Sequence, residues 1–319
     1  MPYIRAFMFR LYIVAFVWLF ACSARPKSEE ISGNLFEAGK RLAQLADRSI
    51  TEASGIVASR KHAGMLWVHN DSGDSARLFL VDTLGRTRMV VWLKGARNRD
   101  WEDIAAGPGP VAGKSYLYVA DIGDNHARHH EKVIYRFEEP DFEEGEITLT
   151  QFDSIRLVYP DGPRDAETLL TDPDTRDLFI LTKRERKLHL YRLAWPYGTG
   201  TIHTAVLEAD DITFNLLGEP RGYHPLYYNQ VTGGDISPDG SEILIKDYST
   251  VYYWKRRPRQ SLAEVLRTRP FLLPYRPEAR GEAIAFSADG KGYYTLSEEA
   301  DGIVPYLIFY ARKKSVTQP

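Results

Sequence analysis

The chain has 319 residues, is 44% apolar and 12% aromatic, and carries a formal net charge of −2. That length supports a large core in one or two domains. The near-neutral charge, with no basic stripe to neutralise phosphates, excludes nucleic acid as a main partner. Nineteen tyrosines with many Gly, Pro and Asp residues favour an all-β chain over a helical one.

At the N-terminus, Arg5 and Arg10 flank the start of the apolar run LYIVAFVWLFA (11–21), and the only cysteine, Cys22, follows it. A basic segment, a short apolar segment and a small residue before the break describe an export signal. The run is too short for a comfortable membrane span. Leu19-Phe20-Ala21-Cys22 resembles the bacterial lipoprotein box, with Cys22 lipidated after cleavage. The alternatives are an ordinary signal peptide with an incidental cysteine, or an uncleaved anchor. Residues 23–34 (SARPKSEEISGN) are polar and suit a tether. The expected organisation is a signal peptide over 1–21, a lipidated Cys22 and tether over 22–34, a folded body over 35–312 and a tail over 313–319. Such a chain is an exported bacterial cell-envelope lipoprotein, on the outer membrane or facing the periplasm, with lipid as its anchor.

From about residue 50 one unit recurs. Its copies open with TEASGIVAS, DWEDIAAG, DAETLLTD, TGGDISPD and RGEAIAFS. Each opening is followed by further short runs rich in Val, Ile, Leu, Tyr and Phe, such as MLWVHND, SYLYVAD, DLFILTK, EILIKDY and GYYTLSEE, and TLTQFDSIRLVY (148–159) reads as the last run of the second unit. Turn formers separate the first run from the second (DPDT at 172–175, SPDG at 237–240, SADG at 287–290), the mark of hairpins. A helical period covers only the stretches near 32–46 and 259–267. The acids Glu52, Glu102, Glu167, Asp235 and Glu282 are separated by 50, 65, 68 and 47 residues. A unit of about 45 to 65 residues with four antiparallel strands is a propeller blade. The expectation is therefore an all-β chain forming a single β-propeller of five four-stranded blades. A degenerate sixth blade in 201–230 is left open, and a β-sandwich is the alternative architecture. The last unit lacks a fourth strand, and residues 35–50 would supply it and close the ring, leaving no exposed sheet edges.

In a blade the inner strand lines the channel and the second strand runs back beside it. The start of the first and the end of the second thus share one face of the disc. Strand starts carry Glu52, Glu102, Glu167, Asp235 and Glu282; second-strand ends carry Asp71, Asp121, Lys183, Lys246 and Glu298. The intervals Glu52–Asp71 and Glu102–Asp121 are both 19 residues. These ten residues are the candidate ligand-binding set at one mouth of the channel. Carboxylates about 8 Å apart at an effective dielectric near 20 repel by roughly 2 kcal/mol per pair. Relief comes from protonation, from pairing with Lys183, Lys246, Arg99 or Arg280, or from a bound cation. Oxygen donors without His or Cys suit a hard ion, Ca²⁺ before Mg²⁺. The competing reading is that each acid accepts hydrogen bonds from a neighbouring blade and locks the ring.

Other features are read more plainly. NDSGD (70–74) and DIGDN (121–125) are acid-glycine turns that could wrap Ca²⁺ but are also ordinary Asx turns. His126, His129 and His130 suit Zn²⁺ by spacing and an exposed loop by context. GYHPLYYNQ (222–230) would roof the mouth or pack on the rim. Alternation sends Trp101 away from Glu102, into the layer between blades. No nucleophile elbow, P-loop or dinucleotide fingerprint is present, so no organic cofactor is expected.

The segments ASGIVAS, DWEDIAAG, DAETLLTD, TGGDISPDG and GEAIAFSADG resemble a propeller superfamily that includes the SdiA-regulated periplasmic proteins and the phytase-like esterase propellers. The chain is also similar to exported bacterial proteins with WEDIA and DIGDN segments. The likeness spans about residues 50–310, with Asp103, Thr168 and Ala283 where the pattern usually has glycine. The resemblance implies a Ca²⁺-compatible acidic mouth with Glu52, Glu102, Glu167 and Glu282 as metal ligands. The leading functional expectation is an exported binding propeller for a cation or small polar ligand. The alternatives are a Ca²⁺-dependent phosphoesterase and a protein-interaction scaffold with a protein partner.

Overall fold

The structure is a computed structural model that describes residues 35–214, 230–300 and 302–314. Cys22, its leader and tether, and all of the GYHPLYYNQ tract but Gln230 lie outside the described residues. Apolar runs too short for helices, broken by turn residues, give 22 strands and one short helix among the described residues. The strands form five sheets, each a blade of a five-bladed propeller. Blade 1 is Ala53–Ala58, Met65–Asn70, Arg77–Asp82 and Thr87–Leu93. Blade 2 is Trp101–Pro108, Ser115–Asp121, Glu131–Glu138 and Asp153–Val158. Blade 3 is Ala166–Thr171, Leu178–Thr182, Leu188–Leu193 and Val206–Ile212. Blade 4 is Val231–Ile236, Glu242–Asp247, Val251–Lys255 and Phe271–Leu273. Blade 5 is Gly281–Phe286, Gly292–Ser297, Tyr306–Ala311 and, from the other end of the chain, Lys40–Gln44.

The SPDG and SADG turns close as expected. Gly240 and Gly290 take positive φ and donate their N–H to Ser237 and Ser287 at 2.8 and 2.9 Å. Side-chain alternation along each inner strand then feeds two core layers at once. Ile56 packs between blades 5 and 1 while Val57 packs between 1 and 2; Leu169 packs between blades 2 and 3 while Leu170 packs between 3 and 4. Five apolar layers therefore lie between five blades, which closes the ring and excludes a sandwich. Trp101 sits in the layer between blades 1 and 2, edge-on to His69 at 5.7 Å.

Three expectations are corrected. The stretch 32–46 is not helical where it is described, since Lys40–Gln44 pairs antiparallel with Tyr306–Ala311; tertiary pairing outweighs local period. The segment 201–214 is not a sixth blade, because Val206–Ile212 completes blade 3 and Ile202–Thr204 lies parallel to the outer strand of blade 2. The run TLTQFDSIRLVY is not one strand. Gly145–Leu149 crosses to pair in parallel with Thr87–Leu93 of blade 1, and only Asp153–Val158 completes blade 2. The helical reading near 259–267 holds as Leu262–Leu266, capped by Ser261, which exchanges hydrogen bonds with Glu264.

Closure is anchored by Phe36, which bridges to Arg312 and packs edge-on against Tyr293 at 5.0 Å and Tyr253 at 6.1 Å. Removing a buried aromatic side chain costs about 3–5 kcal/mol. Phe36→Ala is expected to lower the free energy of urea unfolding by that order and to shift the midpoint down accordingly. An unchanged midpoint would show that the N-terminal segment plays no part in closure.

Candidate functional site

Every inner strand carries a β-bulge near its start. Pairing with the second strand runs Ala53↔Asn70 then Gly55↔His69, Trp101↔Asp121 then Asp103↔Ala120, and Ala166↔Thr182 then Thr168↔Leu181. In the last two blades it runs Val231↔Asp247 then Gly233↔Lys246, and Gly281↔Ser297 then Ala283↔Leu296. The extra residues are Ser54, Glu102, Glu167, Thr232 and Glu282. A bulged residue leaves the ladder and its side chain is re-aimed. The two hydroxyls reach sideways: Ser54 Oγ donates to the Glu102 carbonyl at 2.8 Å and Thr232 Oγ1 to the Glu282 carbonyl at 2.9 Å, each linking one blade to the next.

This register rearranges the ring of acids read from the sequence. Glu52 stands two residues before the bulge, so its equivalents are Asp100 and Asp165 rather than Glu102 and Glu167. It is exposed. Asp235 lies three residues beyond the bulge, inside the channel, where its Oδ2 accepts the Phe286 N–H of blade 5 at 2.8 Å. Burial pushes its carboxyl up to about 6, against the pull of Arg60. Asp103, the neighbour of Glu102, does more of the same work. It accepts the N–H groups of Ile104 and Leu169 at 2.9 Å and Gly234 at 3.4 Å, tying blades 2, 3 and 4 together. For these two acids the ring-locking reading is the one the hydrogen bonds support.

The second strands end at the same face, and the residues just past their last pair are Asp71, Ile122, Lys183, Tyr248 and Glu298. Asp121 falls one residue short of that ring. It accepts the Asp100 N–H at 3.1 Å and pairs with Arg99 at 3.4 Å. Lys246 falls two short. It is buried between blades 4 and 5, donates to the Asp247 and Gly281 carbonyls, and lies 4.8 Å from the Tyr275 ring centre. Burial pulls its ammonium down to about 8, partly offset by Glu278.

Two groups of carboxylates converge at this mouth, each with oxygens within 4.8 Å of one another: Asp71 with Asp100 and Glu102, and Glu102 with Asp165 and Glu167. The set Glu52, Glu102, Glu167 and Glu282 does not come together as one group among the described residues. Asp100 and Asp165 were missed in the sequence, yet a signal was there. Asp100-Trp101-Glu102 and Asp165-Ala166-Glu167 are the same D-x-E, and the strand period of two puts both acids of each on one side. Gly123 of the DIGDN loop packs directly on this pair, and a Cβ there would run into Glu102 Oε1 and the Asp100 carboxylate.

The second group is already furnished with cations. Lys183 Nζ contacts Glu167 Oε1 at 2.5 Å, and Arg184 lies 3.3 Å from Asp165 and 3.9 Å from Glu167. Burial alone would lower the Lys183 ammonium, but Glu167, Tyr248, Glu282 and Glu102 around it hold it charged, above its usual range. Tyr248 takes the Lys183 hydrogen bond at 3.3 Å and donates to Glu282 Oε1 at 2.9 Å. Glu298 pairs with Arg280 at 3.2 Å; burial and Glu282 still keep its carboxyl raised. The first group differs. Among the described residues, Asp71, Asp100 and Glu102 make no ion pair. Burial raises all three, to about 7 for Asp71, and mutual repulsion adds to it.

The acid-glycine loops outside this group are turns. Asp74 binds Asn70 at 2.7 Å and Arg77 at 2.9 Å; Asp124 caps the histidine loop through the Arg128 and His129 N–H groups and pairs with Lys132 at 3.1 Å. His126, His129 and His130 are exposed and form no metal-binding group among the described residues.

No protein-family model and no curated protein matches the sequence. Solved structures similar to the chain include a gluconolactonase of Xanthomonas campestris, at 12% identity and TM-score 0.40 over 78% of this chain and 69% of that one. They also include a Kuenenia stuttgartiensis hydrazine synthase chain (14%, 0.43, 84% and 97%) and the Pan2 WD40 domain of Neurospora crassa (8%, 0.41, 88% and 98%). These likenesses carry no argument about the site.

The raised acids give a pH dependence of definite sign. An unfolded Asp71 ionises near 3.8, the folded one near 7. Between those values the folded chain holds a proton that the unfolded chain has released, so stability falls as pH rises. Glu102 and Asp235 act in the same direction. With chelator present, the thermal midpoint is expected to drop from pH 5 to 7.5, and Asp71→Asn to flatten that slope. A flat wild-type profile would mean the acids are already neutralised within the fold.

Proposed function

We propose that the chain is an exported β-propeller that binds a divalent cation, Ca²⁺ before Mg²⁺, at its acidic mouth. The ligands would be Asp71, Asp100 and Glu102. The observation that carries this is the contrast between the two carboxylate groups: Asp165 and Glu167 pair with Arg184 and Lys183, whereas Asp71, Asp100 and Glu102 make no ion pair among the described residues and feel Lys183 and Arg99 only at longer range. A hard ion with oxygen ligands relieves that repulsion, and three carboxylates leave coordination positions for water or a small polar ligand. Glu167, Lys183, Glu282 and Glu298 would form the wall such a ligand meets.

A second reading is a Ca²⁺-dependent phosphoesterase like the phytase-like propellers that the inner-strand segments resemble. Lys183 favours it: a buried ammonium at the same mouth would face the oxygens of a phosphate, with metal-bound water as nucleophile. Calorimetric titration of the full chain with Ca²⁺ is expected to show saturable binding, weakened at least tenfold in Glu102→Gln. No heat and no thermal shift at millimolar Ca²⁺ would sink both readings and leave a protein-interaction scaffold. Turnover of a phosphate-ester panel, abolished by EDTA, would select the second reading over the first.

Export and lipid anchoring through Cys22 belong to the same proposal and rest on the lipoprotein-box resemblance. In bacterial cells the protein is expected in the membrane fraction and labelled by fatty acid, and Cys22→Ser should abolish the label. A label retained in that variant would count against the assignment.

A further inference from the structure

The opposite end of the channel has a recess of its own chemistry. Where the inner strands end, Arg60 of blade 1, Gly107 and Ser115 of blade 2, Thr171 of blade 3 and Ser237 of blade 4 converge around a cavity of about 440 Å³, with Lys114 at its rim. That is the size of a small-molecule site. Three side-chain atoms in its walls, Arg60 Nη1, Ser115 Oγ and Thr171 Oγ1, are buried without a hydrogen-bond partner. Thr171 is only 5% exposed, and Gly107 makes room for it, since a Cβ there would collide with the Thr171 methyl.

The other polar groups in the recess are committed. Ser237 donates to Asp239 at 2.6 Å and Lys114 pairs with Glu138 at 2.8 Å. Among the described residues no carboxylate pairs with the Arg60 guanidinium, although its charge is felt by Asp235 inside the channel. Buried donors without partners are costly, so three at one cavity call for acceptors inside it.

The geometry points to a binding site for a small oxyanion, a carboxylate or a phosphate, gripped by Arg60 with Ser115 and Thr171 as hydroxyl donors. The flat guanidinium fork matches both groups. Seating the ligand turns Arg60 Nη1, Ser115 Oγ and Thr171 Oγ1 from the wall toward the cavity, side-chain adjustments common on binding. This site is independent of the cation mouth, which lies at the starts of the same strands.

The test is calorimetry on the full chain in a buffer without oxyanions, titrated in separate arms with inorganic phosphate and with acetate. Saturable one-to-one binding is expected in at least one arm, and the tighter arm identifies the ligand class. Arg60→Gln should weaken it at least tenfold and Thr171→Val should weaken it several-fold, with circular dichroism confirming that each variant is folded. Should Arg60→Gln fail to fold, Thr171→Val alone decides. Absence of saturable binding in both arms, or folded variants that bind like the wild type, would overturn the proposal.

Discussion

In each blade one residue too many is inserted at the start of the inner strand, and the fate of that residue organises the mouth of the channel. The ladder excludes it, so its side chain does not enter the apolar layers between blades. Where it is Ser54 or Thr232, a hydroxyl reaches the next blade's carbonyl and the insertion serves cohesion. Where it is Glu102, Glu167 or Glu282, the side chain is too long for that and the carboxylate goes to the mouth. Five equivalent positions thus divide into two that hold the ring and three that charge it.

The same division separates the buried acids. Asp103 accepts the Ile104 N–H of its own blade and the Leu169 and Gly234 N–H groups of the next two, and Asp235 accepts the Phe286 N–H of blade 5, so each is tied to a following blade. Asp71, Asp100 and Glu102 face one another, and the chain offers them little besides the Ser72 N–H on Asp71. A carboxylate enclosed by amides is a structural joint. A carboxylate enclosed by carboxylates is a site in need of a charge. Burial alone does not tell the two apart, since Glu102 and Asp103 are both almost fully covered; the partners do.

The propeller with its five repeats, the closing strand, the hairpin turns and the inter-blade place of Trp101 are legible in the sequence, with a sixth blade left open, because each follows from short-range pattern: period-two alternation, turn residues and repeat length. The site was legible only to its face of the disc. Glu102, Glu167, Lys183, Glu282, Glu298 and Asp71 do meet at one mouth, but Glu52 was matched to Glu102 when its equivalent is Asp100. A slip of two residues keeps a strand side chain on its face, so the alternation gives no warning of it. Bulges leave no reliable mark in composition, and they alone set the register here. On the return strand Asp121 and Lys246 fall one and two residues short of the mouth. The crossing of Gly145–Leu149 to blade 1 was hidden because a parallel partner is not a sequence neighbour.

That crossing has a further bearing on how such a molecule changes over generations. Blade 1 borrows its outermost strand from the connection inside blade 2, and blade 2 borrows Ile202–Thr204 from the stretch between the third and fourth strands of blade 3. Excising any one of these three repeats as a cassette would strip or strand an edge in the next, whereas Val231–Leu273 of blade 4 forms its whole sheet from consecutive chain. Removing blade 4 alone would therefore leave the strand pairing of the other four sheets intact, whereas the first three blades share their edges.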